Sequence, residues 1–410
     1  MVGGGIFSIL GISVASVGSY TPLAIAVGGG LAFLAAYSYV KLAVYYQDEG
    51  ATYSFYKRSF PGSSFSASLI GWWVAFGYIS TIALYAYTFS SYAISEFTFA
   101  DNEWLRKIVA GLVILVFALI NVWSVRGMGK TEDILVYTKL VLLVLISIVL
   151  ISNGRTTFPT LMLEEPYPGF GAILIIAAIT FVAYEGFQLV IHAVNEIEDP
   201  VRNIPMAIYT AIAVAIIVYV VIATGAVLAI PFEQITIDRE YALASGAGDI
   251  LGNWAAGLVI LGALLATSSA ISGTIFGSSR LVSVIAADGY MPGLFAQRFE
   301  RIPVYSIIAM SALAFALVLV GGLRLILEFG SITFLLVSLL MALANFRLRK
   351  LTNSSLFLTI LALLGLSAGI VLILSYELRN QPEQLVFIAT LYAVLSLVAW
   401  GYSKSRAIQR

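Results

Sequence analysis

The chain has 410 residues, of which 60% are hydrophobic and 11% charged, with 22 Lys and Arg balanced by 22 Asp and Glu; its mean hydropathy is +0.97. A soluble domain carries about 25% charged residues, so a soluble fold is excluded, a polytopic membrane protein is expected, and the neutral balance points to no nucleic acid. No cysteine and one histidine are present, which excludes disulfides and thiolate metal sites and leaves a His-rich metal site or a Ser-His-Asp triad unsupported.

Apolar runs of roughly 17–25 residues are the transmembrane signal. They fall at 1–17, 22–46, 64–97, 105–124, 132–152, 169–194, 205–230, 250–283, 303–320, 324–346, 355–375 and 384–402. That predicts twelve crossings, the first one short and the third and eighth long enough to tilt. The start is apolar and lacks a basic segment, so a cleavable signal peptide is not expected. Brief loops carry turn residues: Tyr20-Thr-Pro22, Phe60-Pro-Gly62, Arg126-Gly-Met-Gly129, Glu198-Asp-Pro200 and Asp288-Gly-Tyr-Met-Pro292.

Lys and Arg gather in cytoplasmic loops. With the chain start cytoplasmic, the inner side holds Lys57, Arg58, Arg126, Lys130, Arg202, Arg280, Arg298, Arg301, Arg347, Arg349, Lys350, Lys404, Arg406 and Arg410. The outer side holds Arg106, Lys107, Arg155, Arg239, Arg324 and Arg379. Fourteen against six favours a cytoplasmic start and a cytoplasmic C-terminus. Lys41 and Lys139 alone remain inside apolar runs; Lys41 lies near the inner end of its run, where it can snorkel.

Two glycine-interrupted segments stand at matching places, which is a pointer to inverted repeats. Gly3-Gly-Gly-Ile-Phe7 interrupts run one and Glu185-Gly-Phe187 interrupts run six. Residues 1–152 and 169–346 would then be the two repeats of a single transmembrane domain, with 355–402 forming two accessory helices. Gly3, Gly4 and Gly5 disfavour helix by about 1 kcal/mol each relative to Ala. A helix restarting at Ile6 would present free N–H groups and a positive dipole end to a carboxylate; close packing of helices through small residues explains the glycines equally well. An unwound turn at Val182-Ala-Tyr-Glu185 would free carbonyl oxygens for an ammonium, so the two breaks together suit a zwitterion. Glu185 is either a contact to the substrate, a proton carrier, or a structural carboxylate tying the broken helices together.

A charged group at membrane depth is costly and marks a pathway. Glu132 and Asp133 fix the interface of run five, so Lys139 lies about 10 Å deeper at 1.5 Å per residue. Desolvation disfavours the charged amine, which makes a proton that comes and goes accessible there; snorkelling back to the inner surface is the other reading. Run eight contains Ala266-Thr-Ser-Ser-Ala-Ile-Ser-Gly-Thr274, whose hydroxyls either bond their own backbone or serve an ion or amine site. His192 and Glu328 read as interfacial. Trp72, Trp73, Phe76, Tyr78, Tyr85 and Tyr87 read as packing and interface anchors, with one of them free to wall a cavity.

Gly-Gly-Gly-Ile-Phe at 3–7, Ala-Tyr-Ser-Tyr-Val-Lys-Leu at 36–42, Ala-Tyr-Glu-Gly-Phe at 183–187 and Glu198-Asp-Pro-Val-Arg-Asn-Ile-Pro205 together resemble the amino acid–polyamine–organocation (APC) superfamily. The similarity runs essentially from end to end and looks closest to ApcT-type proton-coupled amino acid permeases. It implies a LeuT-type fold of two inverted five-helix repeats plus two further helices, with helices 1 and 6 discontinuous. It implies substrate held around Val2, Gly3, Gly4 and Gly5 and around Val182, Ala183 and Glu185. It also implies that Lys139 stands where sodium-coupled relatives bind sodium, facing Ser268 and Ser269. Relatives have a half-helix before the glycine break, and this sequence opens at the break, so an upstream half-helix is expected. Glu185 departs from relatives that carry an apolar residue there, which leaves the substrate range open.

The expected function is proton-coupled, sodium-independent amino acid transport across the cell membrane by alternating access. An amino acid or polyamine exchanger or facilitator with a structural Lys139 is the alternative. A membrane-embedded enzyme lacks a nucleophile or metal set, a channel lacks a filter motif, and no cofactor is expected.

Overall fold

In hydrocarbon every backbone N–H and C=O must find a partner within the protein, so apolar runs of this length are stable as helices. The computed structural model describes residues 2–123, 125–155, 157, 167–237 and 240–408, and among them the chain is helical apart from turns and one isolated bridge between Phe299 and Ile302. In order the helices are α1 (Gly5–Val17), α2 (Thr21–Tyr46), α3 (Ala51–Ser59), α4 (Ser64–Ile94), α5 (Glu103–Trp123) and α6 (Val125–Ser152). After α7 (Phe170–Ile179) come two 3-10 segments, Thr180–Tyr184 and Phe187–Glu196. Then follow α8 (Pro200–Ala229), α9 (Phe232–Ile237), α10 (Ala242–Leu251), α11 (Asn253–Ala287), α12 (Val304–Val320), α13 (Leu323–Leu348), α14 (Leu356–Asn380) and α15 (Pro382–Ile408).

Among the described residues nine stretches are long and apolar enough to cross a membrane; one of them, Gly5–Tyr46, is α1 and α2 joined by a 3-10 turn, and Val136–Ser152 and Val304–Val320 are shorter apolar helices. Each of the twelve predicted runs therefore lies on helix. The turn residues act where they stand: Pro22 sits in the first turn of α2 and Pro200 in the first turn of α8, where a missing N–H costs nothing. Short α3, α9 and α10 were not expected; they lie in connections that the sequence presents as loops.

The centre of the bundle is α4, α13 and the interrupted sixth segment. The apolar windows of α4 and α13 are 78% buried, against 17% for α15. α4 packs on α11, α13 and α15, while α2 packs on α8 and α13 on α14. Ile108, Leu112, Leu115 and Leu119 of α5 turn outward, forming an apolar face suited to lipid.

The two ends of the bundle are tied differently. At one end Lys57 Nζ lies 2.5 Å from Asp288, Tyr53 Oη donates to the same carboxylate at 2.6 Å, and Arg298 pairs with Glu49 at 3.2 Å. His192 Nδ1 lies 2.7 Å from the Glu49 carbonyl and the residue is 1% exposed. The interfacial reading of His192 is thereby corrected: the 3-10 segment turns the ring inward under the loop that follows α2. At the other end Arg106 pairs with Glu240, which also accepts from Tyr87 at 3.1 Å. Arg324 Nε lies 2.6 Å from Glu328. Glu328 is fully buried rather than interfacial, because it lies one turn inside α13 against α14. Lys41 Nζ donates to the Asn353 carbonyl at 3.0 Å, consistent with an amine reaching back to a loop. Of the residues that set the sidedness, Arg239 and Arg410 lie outside the described residues, as do the side chains of Arg126, Lys130 and Arg406, and those of Glu132 and Asp133.

Candidate substrate and coupling site

The interruption of the sixth segment falls at Glu185–Gly186. Glu185 is extended (φ −64°, ψ 155°) and Gly186 has φ +106°, a conformation that side-chain-bearing residues rarely adopt. The helix therefore stops after Tyr184 and restarts at Phe187. The expected unwinding at Val182–Tyr184 is corrected: these residues form a 3-10 turn, the Val182 carbonyl accepts the Glu185 N–H at 3.0 Å, and the Ala183 carbonyl accepts Tyr219 Oη at 3.3 Å. The break lies at the Glu185-Gly-Phe187 interruption itself, where glycine supplies the positive φ, and does not extend back into the turn before it.

The start of α1 meets this break directly. Its first helical residue is Gly5, one earlier than expected, and Gly4 caps it. A Cβ on Gly5 would lie 2.9 Å from both the Ala183 carbonyl oxygen and its Cβ. A Cβ on Gly3 would lie 2.7 Å from the Ala270 Cβ, and one on Gly4 would lie 2.6 Å from Thr267. Close packing of the glycines against the sixth segment and α11 is therefore real, whatever else they do. Ser8 Oγ reinforces the start of α1 by donating to the Gly4 carbonyl at 2.8 Å, and it lies 2.7 Å from Thr88 Oγ1 of α4.

Below the meeting point lies a cavity of about 240 Å³. Val2, Tyr85 of α4, Lys139 of α6, Glu185, Gly186 and Leu189 of the sixth segment, and Ser269, Ala270, Gly273 and Thr274 of α11 line it. Its volume falls just below the roughly 300–1,000 Å³ of drug-sized sites, which suits a molecule of amino acid size. Larger hollows of about 590 Å³ beside Lys41 and Tyr209 and about 580 Å³ between α5 and α12 lie on outer faces, away from these polar groups.

Lys139 is 5% exposed and its Nζ donates to Ser269 Oγ at 2.6 Å. The snorkelling alternative does not describe this side chain, whose amine turns into the bundle. Ser269 also donates back to the Ala266 carbonyl at 3.2 Å. Ser268 is half-buried and is not among the residues lining the cavity; successive helical residues point about 100° apart, so only one of the pair faces Lys139. Glu185 is 1% exposed; Oε2 accepts the Gly186 N–H at 3.4 Å and Oε1 meets no donor among the described groups. Of the expected site residues, Val2, Lys139, Glu185 and Ser269 share the cavity, while Gly3, Gly4, Gly5, Val182 and Ala183 stand in the packing layer above it.

Tyr219 of α8 was not singled out by the sequence. It is fully buried, donates to the Ala183 carbonyl, and lies within hydrogen-bonding reach of the Gly3 backbone N–H. One phenol thus spans both interruptions. Among the described residues no group of three or more His, Cys, Asp or Glu side chains could hold a metal ion.

Comparison with known proteins follows the same outline. An uncharacterized protein of Methanocaldococcus jannaschii is 27% identical over 96% of this chain and 90% of its own length. The inner membrane transport protein YbaT of Escherichia coli is 28% identical over 97% of this chain and 92% of its own length. The branched-chain amino acid permease BcaP of Bacillus subtilis is 24% identical over 82% of this chain and 76% of its own length. The amino acid permease family model matches residues 1–398, and the chain belongs to that family of membrane transporters, not enzymes.

Proposed function

We propose that the protein is a proton-coupled, sodium-independent amino acid symporter of the cell membrane, with the chain start and C-terminus on the cytoplasmic side. Amino acid transport follows from the family; the coupling ion and the mechanism are this reading. The observation that carries it is the Lys139 amine, 2.6 Å from Ser269 Oγ in the cavity that also holds the Glu185–Gly186 break. A fixed amine at this depth repels a metal cation and exchanges a proton instead.

The two interruptions would read the backbone of the substrate. N–H groups at the start of α1 suit its carboxylate, and carbonyls at the sixth-segment break suit its ammonium. Both Val182 and Ala183 carbonyls already accept one hydrogen bond each, and a carbonyl has a second lone pair to offer. One helix bundle would rock against the other about this point, exposing it alternately to each side.

Uptake by the purified chain in proteoliposomes tests the reading. Accumulation should rise as the outside is acidified, ignore sodium, and collapse in Lys139→Ala. Sodium-driven accumulation overturns it. Gradient-driven accumulation that survives Lys139→Ala overturns the role of the lysine, and counterflow that survives both Lys139→Ala and uncouplers favours the exchanger or facilitator alternative.

A further inference from the structure

Two acidic side chains outside the cavity lack the partners that burial demands. Glu328 of α13 and Glu377 of α14 are both fully buried. Glu328 Oε1 accepts Arg324 Nε at 2.6 Å, but among the described residues Oε2 meets no donor, and neither oxygen of Glu377 does. The carboxyl groups lie within hydrogen-bonding reach of each other, across a helix pair that packs closely. Two acceptors face each other, and only a proton between them completes a hydrogen bond. We propose that Glu328 and Glu377 bind one proton between them, forming a protonation site in the α13–α14 seam separate from Lys139.

Charge accounting supports a proton over a metal cation. Half-buried Arg324 offsets one carboxylate; one proton neutralises the other, leaving the three groups together uncharged. Two like charges at contact cannot both ionise without great cost. A sodium ion would need several oxygen ligands and would sit beside the Arg324 guanidinium.

The other ionisable groups nearby are few. Arg324 Nη2 donates to Tyr376 Oη at 2.8 Å, and both residues border a cavity of about 400 Å³ that also contains Tyr87, Glu103 and Glu240. Glu240 lies outside the spanning helices; burial pushes its carboxyl up, opposed by Arg106. On the α15 side Tyr392 Oη lies 2.6 Å from Thr333 Oγ1. α7 carries no acid or base, and the one base of α2, Lys41, lies at its far end. The cavity reaches Arg324, which bonds Glu328, and Tyr376, which precedes Glu377, so it ends next to the pair.

The seam is mechanically connected to the sixth segment. Ser331, one turn from Glu328, accepts the Val182 N–H at 3.4 Å and donates to the Ile179 carbonyl. Loss of the shared proton would load this contact with net negative charge, so the site makes the packing of α13 on α14 sensitive to alkaline pH.

Infrared spectroscopy of the full chain in lipid tests the site without reference to transport. A protonated-carboxyl absorption should be present at neutral pH, persist in Glu185→Gln and Glu240→Gln, and vanish in both Glu377→Gln and Glu328→Gln. In the second variant Glu377 ionises to replace the lost partner of Arg324. Thermal unfolding of the wild type should shift downward as pH rises, and Glu377→Gln, whose amide donates to Glu328, should remove that shift. Should one variant fail to fold, the other and the wild-type spectrum decide. Absence of the band, its survival in either seam variant, or a sodium-dependent stabilisation lost in Glu377→Gln overturns the proposal.

Discussion

Gly5 and Ala183 touch. The absent side chain of the first leaves room for the backbone of the second, and a Cβ on Gly5 would sit 2.9 Å from the Ala183 carbonyl oxygen. That contact joins the start of α1 to the turn before the sixth-segment break. Gly5→Ala must push backbone apart, at a cost of about 1–3 kcal/mol for overpacking. It should cut uptake about tenfold or more while the protein still inserts. Gly30→Ala, where a Cβ meets nothing within 4 Å, is the matched control and should transport normally. Equal activity of the two variants in proteoliposomes would show that the contact is irrelevant to transport.

Gly186 can be separated from its conformation in the same way. Gly186 and Gly62 both have φ +106°, and an alanine forced into such a region costs roughly 1–3 kcal/mol. Thermal unfolding should therefore fall by a similar amount in Gly186→Ala and Gly62→Ala. Only Gly186→Ala should lose uptake, because the break at that residue borders the cavity. If Gly186→Ala keeps wild-type uptake, the break is not required.

The Lys139–Ser269 contact has a graded consequence. Hydrogen bonds to a charged donor contribute about 1.5–3 kcal/mol. Ser269→Ala removes an acceptor from the protonated amine and so should move the pH profile of uptake toward acid without abolishing it. Lys139→Ala should abolish accumulation altogether. Ser268→Ala, which lies off the cavity, should leave the profile in place. A shift in Ser268→Ala with none in Ser269→Ala would reverse the assignment of the two hydroxyls.

These variants also mark what sequence reasoning could and could not reach. Glycine runs and a lysine inside apolar segments are costly exceptions, so Gly3–Gly5, Gly186 and Lys139 stand out without coordinates. The break itself falls at Glu185–Gly186, where the sequence places it; the turn before it is the part that was not legible, because Val182–Tyr184 stay wound as 3-10 turns whose Val182 and Ala183 carbonyls find donors, one of them on distant Tyr219. Ser268 and Ser269 are indistinguishable as letters and differ only in helical direction. His192, Glu328 and Glu377 each lie near the end of an apolar run, where a polar residue ordinarily meets water. Their burial arises from elements packed over them from elsewhere in the chain, the loop after α2 on His192 and the α13–α14 seam on the two glutamates, and no local pattern carries that information.

Tyr219 is the clearest case of a residue hidden in this way, and it yields the last prediction. Within Ala-Ile-Ile-Val-Tyr-Val-Val-Ile it looks like one more large side chain facing a neighbour. Its hydroxyl reaches backbone atoms, the Ala183 carbonyl at 3.3 Å and the Gly3 N–H within reach, and backbone contacts leave no signature in sequence. Tyr219→Phe keeps the ring and removes the bridge, at a cost of about 1 kcal/mol for a neutral hydrogen bond plus the desolvated carbonyl left behind. Because the bridge joins the two interruptions and not the bundle as a whole, thermal unfolding should shift little. Substrate affinity should fall about fivefold to tenfold, since 1.4 kcal/mol is a factor of ten. Substrate-induced stabilisation, measured by thermal unfolding over a range of amino acid concentrations, reads that affinity directly. A Tyr219→Phe variant with unchanged affinity would mean that the two interruptions hold their positions through packing at Gly5 and Ala183 alone.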